Sequence, residues 1–152
     1  MNDYEYMLLA LEEAKKAYDE GEVPVGAVIV KDDSVIAKAY NKKEKNKCSL
    51  DHAELSAIKL ACGNLDNWRL IGTTIYVTLE PCPMCASAIK QSRINRVVYL
   101  LDNNDINTSK IVNEIFSLHD ANAPVEKVKL DISKFNEEDI MILSDFFRKR
   151  RY

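Results

Sequence analysis

From residue 73 onward the chain alternates strand-like and helix-like runs, and this alternation restricts the fold more than any other feature. The β-branched stretch 73–79, opening "TTIYVT", is followed by a helical run at 84–92 and then "INRVVYLL" (94–101). "SKIVNEIFSLH" (109–119) again reads as helix, and "VEKVKLD" (125–131) as a short strand. Such an order builds βαβ units, whose strands are parallel and whose crossovers are right-handed. Upstream, Met7, Leu8, Leu11, Ala14 and Tyr18 recur at helical spacing with Gly21 as a stop, which predicts a helix over 3–20. "VPVGAVIVK" (23–31) and "SVIAKAYN" (34–41) flank "DD" (32–33) and predict an antiparallel hairpin. Residues 53–63, "AELSAIKLACG", read as a helix closed by Gly63, and 136–151 as the last helix. The expected order is α-β-β-α-β-α-β-α-β-α. It implies an α/β fold, a three-layer α/β/α sandwich around a central mixed five-stranded sheet, formed as one domain over 1–152.

A chain of 152 residues that is 47% apolar can bury a single core without staples. No apolar run reaches the roughly 18–20 residues of a membrane span. The N-terminal stretch mixes acids with its apolar residues and lacks the basic start of a signal peptide. No membrane association and a cytoplasmic location are therefore expected, where four sparse cysteines stay reduced. Net charge is −3, so no overall field draws the chain to nucleic acid, yet bases cluster locally. "NKKEKNK" (41–47) holds four lysines against one acid, and 148–151 are four consecutive bases. Both read either as solvated surface or as phosphate-facing patches.

In open α/β sheets chemistry gathers where strands end and helices begin. "EPCPMC" (80–85) lies at such a junction, with Pro83 suited to a first helical turn, and "DHAE" (51–54) opens the preceding helix. Two neighbouring helix starts would converge one imidazole, His52, and two thiolates, Cys82 and Cys85. Three nitrogen and sulfur ligands with an open fourth position describe a catalytic zinc site that holds a water, and zinc lowers the pKa of that water toward ~7. Each element alone has a plainer reading. The CxxC pair also fits a redox centre, His52 a structural histidine, and Glu54, three after Asp51, a capping box. The joint pattern H-x-E followed about thirty residues later by P-C-x-x-C is the signature of the zinc deaminases. In that setting Glu54 is the proton carrier, taking a proton from water and handing it to a departing amine.

Beyond these motifs the sequence resembles the bacterial tRNA adenosine deaminases, of the cytidine deaminase superfamily. The matching stretches are "GEVPVGAVIV" (21–30), Asn41, "HAE" (52–54), "WRLIGTTIYVTLEPCPMCASAI" (68–89), "SRINRVVY" (92–99) and "LSDFFRKRR" (143–151). The resemblance implies a cytidine-deaminase-like fold, one Zn2+ per chain, and conversion of the wobble adenosine of a tRNA anticodon to inosine. It implies that Asn41 hydrogen-bonds the target base and that "VPVG" (23–26), with Val25, walls the flipped base. The terminal helix would lie along the anticodon stem, with Phe147 and Arg148 among its contacts. It also implies a homodimer paired through 84–96. "HAE" with "PCPMC" is shared with guanine deaminases, so deamination of a free base or nucleoside is the alternative. One region departs from the family. Where the family carries a glycine-rich loop, residues 100–110, "LLDNNDINTSK", contain no glycine, with Asn103 in place of an aspartate and Asp105 in place of a lysine. Asp51 likewise replaces a small residue, and Cys48, Cys62 and His119 match no ligand position.

Overall fold

A computed structural model describes residues 1–149, with side chains through Asp145. Its elements run α1 (Asp3–Asp19), β1 (Gly26–Lys31), β2 (Ser34–Tyr40), α2 (Ala53–Leu65), β3 (Thr73–Leu79), α3 (Pro83–Gln91), β4 (Arg96–Leu101), α4 (Ile106–Ser117), β5 (Glu126–Lys129) and α5 (Glu137–Lys149). A single 3₁₀ turn at Ile132–Lys134 precedes α5. The strands form one sheet in the order β2-β1-β3-β4-β5. β1 is antiparallel to both β2 and β3, whereas β3, β4 and β5 run parallel. The predicted three-layer mixed sheet is what the chain forms. Among the described residues no helix is long and apolar enough to cross a membrane.

The period-2 alternation of the strands sorts the core into two layers. Ala27, Ile29, Ile75, Val77, Val97 and Tyr99 face α2, α3 and α4. Their neighbours Val28, Val30, Tyr76, Val98 and Leu100 face α1 and α5. Strands buried on both faces read as continuous apolar runs, which is why 26–30 and 97–100 show little polar alternation.

Local chemistry fixes the joints. Asn2 caps α1 by accepting from the Glu5 N–H at 2.9 Å. Gly21, at φ +80°, follows the α1 C-cap in the left-handed conformation that glycine adopts without penalty. Asp32 and Asp33 both have positive φ, as a two-residue hairpin with the twist of its strands requires. At Gly26 a Cβ would stand 2.1 Å from the Ala10 carbonyl oxygen, so α1 crosses β1 against bare backbone.

Three expectations need correction. Gly63 lies inside α2, which ends two residues later because Asp66 takes up the left-handed cap conformation. In α1, Leu8 and Tyr18 are largely exposed, and the buried stripe runs instead through Tyr6, Met7, Ala10, Leu11, Ala14 and Ala17. α4 starts at Ile106 and not 109, because the Asp105 carboxylate accepts from the Asn107 N–H at 2.8 Å and nucleates the first turn.

Candidate active site

α2 follows β2 and α3 follows β3, and because β1 is antiparallel to both strands the two helices begin at the same end of the sheet. The residue preceding each is a ligand candidate: His52 is the N-cap of α2 and Cys82 the N-cap of α3, with Pro83 at the first helical position. Neither cap is a Ser, Thr, Asp or Asn, the residues that would stabilise such a helix start by about 1 kcal/mol. The two positions are committed elsewhere. His52 Nδ1 stands 3.7 Å from Cys82 Sγ and 3.5 Å from Cys85 Sγ, and one donor atom from each of the three residues lies within 4.8 Å of the others. One imidazole and two thiols on rigid helix starts suit a zinc ion by both donor softness and ligand number.

Charge in this cluster is shared tightly. The hydrogen bond from the Cys85 thiol, with further help from His52, holds Cys82 well below the ordinary thiol value and so favours its thiolate form. The same bond, together with burial, pushes Cys85 well up. His52 is raised, first by its hydrogen bond to Cys82. Two adjacent thiols do not both ionise unless a cation lies between them, which is the charge a divalent metal brings. Glu54, one residue into α2, is buried beside Cys85, and burial raises its carboxyl to about 7. The capping-box alternative for Glu54 requires a bond back to the Asp51 N–H. The Asp51 N–H instead donates to the Cys48 carbonyl, and the Asp51 carboxylate accepts from Asn46 Nδ2 at 2.8 Å.

Part of this cluster opens on a cleft of about 170 Å³. His52, Ala53, Glu54 and Cys82 line it together with Val23, Val25 and Leu79 as apolar wall. Asn41, just past β2, is buried and lines the cleft too. Its backbone N–H donates to the Val25 carbonyl at 3.0 Å. Lys43 and Asn103 also line it, and Asn103 belongs to the loop whose sequence departs from the family. The side chains of Phe147 and Arg148 lie outside the described residues.

One cleft residue was missed from the sequence although it sits inside the quoted motif. Glu80 is 1% exposed, accepts from Asn103 N at 2.9 Å and Ser109 Oγ at 2.6 Å, and pairs with Lys127 Nζ. A glutamate next to a proline at a strand end is an ordinary surface pattern, and its partners are 23 to 47 residues away.

Residues 1–151 match the family model described as MafB19-like deaminase. A tRNA-specific adenosine deaminase of Aquifex aeolicus is 44% identical over 149 residues, which is 97% of this chain and 95% of that protein. The one from Bacillus subtilis is 53% identical over 94 residues, covering 62% of this chain and 58% of the relative's length. A solved structure from a study of A-to-I editing by tRNA:A34 deaminases at the wobble position of transfer RNA superimposes with a TM-score of 0.74. It is 36% identical, and the match covers 84% of this chain and 98% of that one.

Proposed function

This chain belongs to the MafB19-like deaminase family, and from that premise we propose that it hydrolyses adenosine to inosine at the wobble position of a tRNA anticodon. The observation that carries the reading is the placement of Glu54: a buried carboxyl raised to about 7, on a cleft it shares with His52 and Cys82 and beside the His52, Cys82 and Cys85 donor set. The reaction takes up water and releases ammonia.

His52 Nδ1 and the sulfurs of Cys82 and Cys85 would hold a zinc ion, which supplies a Lewis acid able to make water nucleophilic near neutral pH. The remaining work falls to the protein. Glu54 takes a proton from the attacking water and delivers one to the departing amino nitrogen, a role that suits a carboxyl titrating near neutrality. The Asn41 amide offers a donor and an acceptor to the purine edge, and its place in the lining of the cleft supports that assignment. Val23 and Val25 form the wall against which an unstacked base packs. Lys43 lies on the same rim, where an RNA phosphate would approach. In the terminal helix, Phe147 and Arg148 are assigned to the anticodon stem from sequence alone.

On this reading residues 1–152 act as one deaminase unit in the cytosol and pair as a homodimer across 84–96. Met84, partly exposed on α3, supports such a face. Light scattering at micromolar concentration that returns a monomer of 17.3 kDa would refute the dimer. The function itself is tested by incubating the zinc-loaded protein with total tRNA and, separately, with free guanine, cytosine and adenosine. Inosine in the tRNA and no ammonia from the free compounds is the expected result. Ammonia from guanine with unmodified tRNA would replace this reading by that of a free-base deaminase.

A further inference from the structure

Each rim of the cleft is tied to a carboxylate buried beneath it. On one side Glu80 collects three donors from three different elements: the Asn103 backbone N–H from the rim loop, the Ser109 hydroxyl from α4, and the Lys127 ammonium from β5. The rim is fastened again where Asn103 Nδ2 donates to the Pro81 carbonyl at 3.3 Å. Lys127 is itself held, donating to Asn113 Oδ1 at 2.7 Å and lying over the Tyr99 ring. On the other side Glu22, also 1% exposed, accepts the Glu44 and Lys45 N–H groups at 3.0 and 2.7 Å and so fixes the loop that carries Lys43.

We propose that Glu80 and Glu22 are positioning residues for the deamination reaction, holding the two rims of the cleft at the separation the RNA requires. The physical ground is the cost of burying a carboxylate. An ionised group out of water is tolerated only when most of its lone pairs are satisfied, so each carboxylate demands that its donors stay in place. The donors of Glu80 arrive from a loop, a helix and a strand, and removing any one loosens the others. This accounts for the loop at 100–110 holding a defined shape without glycine. Asn103 is fixed by its backbone and by one side of its amide. Ser109 and Lys127 do not line the cleft, so any effect they have on substrate must pass through Glu80. The inference rests on the tRNA-deaminase reading for its substrate, but not for its geometry.

The test uses the zinc-loaded full chain and an RNA stem-loop copying an anticodon arm with adenosine at the wobble position. Ser109→Ala is expected to raise KM about fivefold and Glu80→Gln about tenfold, with kcat and zinc content unchanged, as the loss of hydrogen bonds to a charged group allows. Ser109→Thr keeps the hydroxyl and restores the wild-type KM. Ser109→Ala adds less than its fivefold effect in the Glu80→Gln background, where the acceptor is no longer charged, whereas Glu22→Gln, which shares no partner with Glu80, is additive with it. Amide hydrogen exchange at Asn103 is measured on the same proteins without RNA, and accelerates in Ser109→Ala and Glu80→Gln. Unaltered KM and unaltered exchange, with only a lower melting temperature, would overturn the proposal. Accelerated exchange in a protein whose wild type leaves the stem-loop unmodified would sustain the clamp and sink the substrate assignment instead.

Discussion

His52 Nδ1 and Cys85 Sγ, 33 residues apart in the chain, stand 3.5 Å from each other because α2 and α3 start at the same end of the strands β2 and β3. A separation that short between an imidazole and a thiol, with Cys82 Sγ only 3.7 Å from the same nitrogen, leaves one point from which all three donors are reached. Purified protein is expected to carry one zinc per chain by elemental analysis. Cys85→Ala is expected to lose it along with all activity. A chelated protein that retains full activity would remove zinc from the mechanism. A ligand held at 100 times its dissociation constant stabilises the folded state by about 2.7 kcal/mol, so chelation should also lower the melting temperature.

Glu54→Gln separates catalysis from stability. Burial raises the Glu54 carboxyl to about 7, so its ionised form is costly in the fold, and removing the charge should leave stability equal or higher. Activity should fall by about a thousandfold or more, because proton transfer fails both at the water and at the leaving amine. Zinc content should not change. Parallel loss of stability and activity would mark Glu54 as structural.

Acid sensitivity should reside partly at the other layer of the sheet. Asp3 on α1 is held by both terminal guanidinium nitrogens of Arg96 and accepts from Tyr76 OH at 2.7 Å. The Arg96 hydrogen bonds keep its carboxyl below the ordinary value of 3.8 despite partial burial. A carboxyl with a lowered folded-state pKa binds its proton more readily when unfolded. Its stabilisation is therefore complete above 3.8 and is lost as pH falls through the lower folded value. Asp3→Asn should cost about 1 kcal/mol at neutral pH, or roughly 2–4 °C in melting temperature. Thermal unfolding of the two proteins should converge as the solution is acidified below that value, and a difference that persists would exclude the ion pair as its source.

The terminal bases are expected to act on affinity alone. Replacing Arg148, Lys149, Arg150 and Arg151 with alanine should weaken binding to every tRNA similarly and flatten the salt dependence by roughly one unit for each phosphate no longer neutralised. Zinc content should be unaffected. Titrations at several salt concentrations read the slope directly, and an unchanged slope would detach this segment from the RNA.

The sequence by itself determined the layered α/β order and the His52, Glu54, Cys82 and Cys85 pattern, because both are written in local terms. Strand and helix periods repeat every two and 3.6 residues, and two short motifs at helix starts are legible wherever they occur. It mistook Gly63 for a stop, since a helix end depends on which residue takes up the left-handed turn, and Asp66 did. It placed Leu8 on the buried stripe of α1, whereas the direction of that stripe is set by how the helix crosses Gly26. Only the tertiary structure decided that Asn41 shares a cleft with Glu54, and that Glu80 and Glu22 lie buried under its two rims. Glu80 meets Lys127 across 47 residues and Glu22 meets Lys45 across 23. A buried carboxylate is identified by the donors gathered around it, and those donors become its neighbours only when the sheet has brought β3, β5 and α4 together.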